Sequence, residues 1–142
     1  ASSKWLLVNN ETAKIAKVEQ EMADKYHSEI GKMVFEEEIE KIKAPENYET
    51  SIIYEIKRKD IDIIGHVHNL YYLDMAYEAM PQEVYQQRPF DKFRISYKKE
   101  IKLGETVKCQ YAYDENKHFV MIRSEDETIL HAIIELEEKE SF

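Results

Sequence analysis

From residue 50 onward the chain alternates apolar and polar positions in the two-residue rhythm of β-strands, interrupted by one stretch with helical rhythm. Ile52, Tyr54 and Ile56 fall on one side, and Ile53, Glu55 and Lys57 on the other, which predicts a strand over about 50–58. Asn69, Tyr72, Leu73, Ala76 and Met80 then recur at steps of three and four, predicting a helix over about 68–80 that Pro81 ends. A short further helical turn is expected at 81–85. Alternation returns in Phe93, Ile95, Tyr97 and Ile101, and again after Gly104 in Val107, Cys109, Tyr111 and Tyr113. Asp114-Glu115-Asn116 reads as a hairpin turn. Phe119, Met121 and Arg123 alternate with Val120 and Ile122, and Leu130, Ala132, Ile134 and Leu136 close the set. The order is strand, helix, four strands. An α+β domain follows, with one long central helix wrapped by a curved antiparallel sheet, because that arrangement buries the apolar faces of both. An open sheet edge or face then favours dimerisation.

The first 48 residues carry a different pattern. Residues 4–8 form a short strand-like run, and Asn9-Asn10-Glu11-Thr12 a turn. Ile15, Val18 and Met22 predict a helix over 12–26. Residues 27–48 are highly charged and weakly periodic, as in a linker, ending near Pro45. The expected division is therefore 1–48, a strand with a helical linker, and 49–142, the main domain.

Composition narrows the class. Hydrophobic residues make up 43% of the 142, too many for a disordered tail. A net charge of −9 disfavours non-specific nucleic-acid binding, which requires neutralising phosphates. The single cysteine, Cys109, rules out an internal disulfide and a Cys-rich zinc site. There is no apolar run of the roughly 18 residues a membrane span needs, and the first residues lack a secretory pattern. A soluble, cytoplasmic protein with no membrane partner is expected.

The chemistry concentrates in residues 60–72, where Asp60, Asp62, Gly65, His66, His68 and Asn69 lie between a strand pattern and a helix pattern. An acid, a histidine and a helix N-terminus converge there, which suits polarising and hydrolysing a carbonyl compound. Backbone N–H groups of the turn Gly65-His66-Val67-His68 are candidates to stabilise an oxyanion, with Gly65 allowing close approach of a ligand. Each residue also has a plainer reading. Asp62 suits a turn or helix cap, His66 a hydrogen-bonded structural histidine, and Asp60 a turn. Asp62, His66 and His68 could be drawn as a facial metal site, but they straddle the turn without a supporting ligand, so no metal is predicted. Cys109 reads as a small core residue rather than a nucleophile. The tyrosines at 54, 72, 97, 111 and 113 suit core or interface packing.

The segment Lys57–Tyr72 resembles the second hot-dog half of acyl-acyl carrier protein thioesterases, whose pattern there is roughly Arg-x-x-Asp-h-Asp-h-Asn-x-His-Val-Asn-Asn-x-x-Tyr, with h hydrophobic. The likeness continues through Glu78–Glu83 and through Ile95–Glu100, which is similar to a family strand ending in Arg-Arg-Glu. Upstream, Ser3–Asn9 followed by Thr12 resembles the last strand of the family's first half with its helical linker. The resemblance thus implies a hot-dog fold and one half of a tandem pair: a fragment, a separately made domain or a proteolysed product.

It also implies hydrolysis of the thioester joining a fatty acyl chain to the phosphopantetheine arm of acyl carrier protein, without a cofactor. The family's catalytic Asp, His and Glu fall on Asp62, His66 and Glu100, and Gly65, Val67, His68, Asn69 and Tyr72 become candidate substrate-binding positions. Its catalytic Asn falls on Ile64, which cannot hydrogen-bond through its side chain, so Gly65, His68 or Asn69 must fill the gap or the site is weakened. A Cys that follows the family's Glu is Ile101 here, and the first Asn of its His-Val-Asn-Asn is His68. Glu100 has opposite parity to Ile95, Tyr97 and Ile101, so a solvent-facing role beside Lys98 is equally open.

Charge is uneven. Residues 88–102 hold six basic residues against Asp91 and Glu100, whereas 124–142 hold seven acids and one lysine. An acidic carrier protein, or the phosphates of coenzyme A, would favour the basic part; an ordinary solvated strand face is the alternative. Three functions fit. The first is an acyl carrier protein thioesterase half paired with a second hot-dog domain. The second is an acyl-CoA thioesterase acting as a homodimer. The third is a catalytically silent hot-dog module that binds acyl chains or mediates assembly.

Overall fold

The computed structural model describes residues 3–9, 11–12, 14–27, 32, 40–87 and 90–138. The chain divides into two compact units, Ala1–Glu40 and Lys41–Phe142. Expectations for 28–31 and 33–39 lie outside the described residues.

In the first unit the expected strand is reduced to a single bridge between Val8 and Ile15. Asn9 Oδ1 accepts hydrogen bonds from the N–H groups of Glu11 and Thr12 and from the Thr12 hydroxyl. That closes a tight turn, and the chain doubles back, with Asn9 N–H donating to Lys14 O and Ala16 N–H to Leu7 O. Helix α1 therefore spans only Gln20–Lys25 rather than 12–26. Ile15, Val18 and Met22 have helical spacing, yet all three are exposed, so no packing rewards a helix there.

The second unit is the predicted strand, helix and four strands. Strand β1 (Thr50–Glu55) leads through a 3-10 turn (Arg58–Asp60) and a loop to helix α2 (Tyr71–Ala79) and helix α3 (Gln82–Gln87). Strands β2 (Phe90–Tyr97), β3 (Thr106–Asp114), β4 (Lys117–Ser124) and β5 (Leu130–Glu138) follow. They form one antiparallel sheet in the order β1-β3-β4-β5-β2. The β3–β4 hairpin turns through Glu115 and Asn116, both at positive φ, the two-residue geometry that matches strand twist.

Helix α2 packs on β1, β3, β4 and β5 and buries the stripe Tyr72, Met75, Ala76 and Ala79. It is nine residues long, shorter than the expected 68–80. Residues 68–70 form a turn before it, and Met80 is extended, as the residue before a proline must tend to be. Beneath it lie Val107, Cys109, Tyr111, Val120, Ile122, Ala132, Ile134 and Leu136. Burying each large aliphatic side chain contributes about 1.5–3 kcal/mol. Leu130 departs from its expected companions. A bulge between Ile122 and Arg123 shifts the register, so that Leu130 packs with Met121, Ile133, Phe119, Ala112 and Ile42 on the other face. A helix seated on a five-stranded antiparallel sheet is the hot-dog arrangement.

Candidate functional site

The loop between β1 and α2 is fixed first by Asp60, which is buried. Its Oδ2 accepts hydrogen bonds from the Lys57 N–H at 2.9 Å and the Tyr54 hydroxyl at 3.2 Å. Its carbonyl accepts the His68 N–H at 2.9 Å, so Asp60 clasps both ends of the loop from inside the protein. Lys59 Nζ lies 3.5 Å from its other carboxylate oxygen.

Asp62 organises the tip. Its Oδ1 accepts the Ile64 N–H at 2.8 Å and the His66 N–H at 3.3 Å, and its own N–H donates to His66 O at 2.9 Å. Partial burial pushes the Asp62 carboxyl up, but the amides of Ile64, His66 and Gly65 outweigh that and hold it below its ordinary value. Gly65 sits at φ +90°, which explains the glycine. A Cβ there would meet no protein atom within 4 Å, so the positive φ and not crowding within the protein calls for glycine.

The loop then pairs with the segment after β2. Val67 N–H donates to Ile101 O at 2.9 Å, and His66 bridges Lys102. This main-chain pairing brings His66 beside Glu100, which is exposed and 3.8 Å from Lys102 Nζ. The His66 ring nitrogens make no hydrogen bond among the described residues.

The result is an open cleft of about 350 Å³ lined by Asp62, Ile64, His66, Val67, Asn69, Tyr72, Tyr97, Lys98, Lys99 and Glu100. The three candidate catalytic residues therefore share one cleft, together with Val67, Asn69 and Tyr72 of the candidate substrate-binding set. Gly65 and His68 do not line it. His68 serves the helix instead, with Nδ1 accepting the Leu70 N–H at 3.2 Å and its carbonyl the Tyr71 N–H at 2.9 Å. The helix start is thus at Tyr71, not at Gly65.

This corrects the expected oxyanion donors. Gly65 N–H donates to Asp62 O, His66 N–H to Asp62 Oδ1, Val67 N–H to Ile101 O and His68 N–H to Asp60 O. All four amides of the turn are spent within the protein, leaving none for a substrate. Among the described residues no group of three His, Cys, Asp or Glu could hold a metal.

Four residues of the cleft fall outside the sequence-based set. Ile64 occupies the position of the missing asparagine. Lys98 and Lys99 stand next to Glu100, a neighbourhood that a charge count alone does not resolve, and neither forms an ion pair among the described residues. Tyr97 is reached only through the fold: its ring meets Tyr72 edge-to-face at 5.1 Å, and its hydroxyl donates to Asn69 O at 3.0 Å. Burial raises the Tyr97 phenol and takes that of Tyr72 to about 12, although the Ile101 N–H pulls the latter down. Both hydroxyls are protonated donors near neutrality. Cys109 lies in the core, its thiol pushed up to about 12 by burial.

Fold and cleft together define a hot-dog protein with an acid–histidine site at the start of its helix. The sequence profile of the acyl-ACP thioesterase C-terminal domain matches residues 42–138, and the chain belongs to that family. A curated relative is oleoyl-acyl carrier protein thioesterase 1, chloroplastic, from Arabidopsis thaliana. It is 27% identical over 117 residues, covering 75% of this chain and 32% of that protein. The match thus spans about a third of the relative's length. Among solved structures, an acyl-ACP thioesterase from Bacteroides thetaiotaomicron superposes with a TM-score of 0.75 at 20% identity, covering 93% of this chain and 53% of that one. The 12:0-ACP thioesterase from Umbellularia californica does so with 0.74 at 12%, covering 93% and 52%. At these identities the two structures establish the fold.

Proposed function

We propose that this chain is the catalytic half of a thioester hydrolase that releases fatty acids from acyl carrier protein during fatty acid synthesis. The observation that carries the reading is the cleft itself, where the His66 imidazole, its ring nitrogens without a hydrogen bond among the described residues, lies with Glu100 and Asp62 in a member of this family. Water attacks the thioester carbonyl. Glu100 takes its proton, His66 in its protonated form gives one to the departing sulfur, and the proton on Glu100 then passes to His66 to restore both groups. Asp62 is the weaker base, because its depressed pKa and its engaged Oδ1 suit holding His66 in place. A well-placed acid–base group contributes roughly 10²–10⁴ in rate.

Lys98 and Lys99 supply cations at the mouth for the phosphate of the pantetheine arm and for an acidic carrier. Ile63, Ile64 and Leu70, all exposed at the tip and rim of the loop, support a second hot-dog half covering the cleft, fused upstream or as a second copy. In this reading residues 1–48 are the closing strand and linker of that preceding half, and 49–142 the thioesterase half. No helix among the described residues is long and apolar enough to cross a membrane.

Ile64 supports the silent-module alternative, since an apolar side chain replaces an amide in the cleft. The test is hydrolysis of acyl-carrier-protein and acyl-CoA thioesters by this chain, alone and within its full gene product. Carrier-dependent turnover lost in His66→Ala fits the proposal. Preference for acyl-CoA replaces the carrier, and no turnover in either form favours the silent module.

A further inference from the structure

With the four turn amides spent, the cleft needs another donor for the carbonyl oxygen. Of the residues lining it, Ile64 and Val67 have apolar side chains, and Asp62 and Glu100 are acceptors. The Tyr97 hydroxyl is used on Asn69 O and the Tyr72 hydroxyl meets the Ile101 N–H, so apart from the His66 ring Asn69 alone offers an uncharged side-chain N–H. Among the described residues, neither its side-chain amide nor its backbone N–H donates a hydrogen bond. Its carbonyl is held, however. The Tyr97 hydroxyl donates to Asn69 O at 3.0 Å across 28 positions of sequence, tying the turn before α2 to the end of β2. The Tyr97 ring is braced in turn by Tyr72 on α2.

We propose that Tyr97 is a positioning residue that acts through Asn69: its hydroxyl holds the Asn69 main chain at its carbonyl so that the unspent side-chain amide of Asn69 meets the substrate carbonyl. The inference rests on the thioesterase reading above. It assigns the oxyanion contact to the last residue but one before the helix, rather than to the turn at Gly65, and makes its geometry depend on a phenol from another element. Burial keeps that phenol protonated well above neutral pH, so the bond persists across the working range.

The test is a double-mutant cycle on thioester hydrolysis. Tyr97→Phe keeps the ring against Tyr72 and removes only the hydroxyl. It is expected to lower kcat by roughly 10–10²-fold with little change in KM, as misplacement of a reacting group does. Asn69→Ala is expected to cost roughly 10²–10³, the price of one oxyanion donor. In the Asn69→Ala background Tyr97→Phe then costs nothing further, whereas the fall in Tm caused by Tyr97→Phe is the same in both backgrounds. Equal kcat for Tyr97→Phe and wild type, or losses that multiply, would overturn the proposal while leaving the thioesterase reading intact. A wild-type chain that hydrolyses nothing, alone or in its full gene product, removes both.

Discussion

Two histidines of this domain are held in opposite ways. His118, on β4, is buried and fully satisfied. Tyr111 Oη lies 2.8 Å from Nδ1 and Glu138 Oε1 lies 3.0 Å from Nε2, with the rings of Phe90 and Tyr113 about it. Because a carboxylate only accepts, Nε2 carries a hydrogen toward Glu138. His66 has the reverse arrangement. Its main chain is pinned on both sides, by Asp62 and by the bridge to Lys102, while its ring lines the cleft and makes no hydrogen bond among the described residues. A protein that spends a ring's hydrogen bonds on itself gains rigidity. One that spends only the backbone's keeps the ring for a substrate.

Substitutions should separate the two roles. His66→Ala is expected to lower kcat by roughly 10²–10⁴ while moving Tm little, since no internal bond of its ring is lost. His118→Ala should do the opposite, costing about 1–3 kcal/mol of unfolding free energy through the stranded Tyr111 hydroxyl, with kcat of the folded fraction unchanged. Paired kinetics and denaturant titrations of both variants break the comparison if either residue moves both quantities. A smaller effect sharpens how His66 is held. The folded pKa of Asp62 is depressed, so its ionised form stabilises the loop above the ordinary value of 3.8 and that contribution is lost as pH falls through the lower folded value. Asp62→Asn keeps an oxygen acceptor but cannot titrate. The stability difference between wild type and variant should be flat above about pH 5 and change only below the ordinary carboxylate value. Smallest of all is the expected response of Cys109. Buried, with its thiol pushed up to about 12, it should resist alkylation at pH 8 in the native state and react once unfolded.

Much of this was legible in the sequence where burial enforces a period. The alternation of Val107, Cys109 and Tyr111, and of Ala132, Ile134 and Leu136, marks strands that do lie under the helix. The stripe of Tyr72 and Ala76 marks the helix that covers them. Period without burial misleads, as Ile15, Val18 and Met22 show, and a bulge defeats parity, as at Leu130. Asp62, His66 and Glu100 were placed by a resemblance, and the fold gathers them. What the sequence could not express was the disposal of hydrogen bonds. Whether the amides of Gly65–His68 are free depends on Asp60 and Ile101, and the state of Asn69 depends on Tyr97, partners that no local pattern connects.

The pairing of residues 66–67 with 101–102 has one more consequence. The path of the tip is written largely in main-chain bonds, from Val67 to Ile101, from His68 to Asp60 and from Asp62 to His66. Such bonds are indifferent to what Ile63 or Ile64 carries beyond Cβ. The tip therefore resembles a socket whose fittings can be exchanged, and evolution or an engineer could retune its specificity there without refolding its frame.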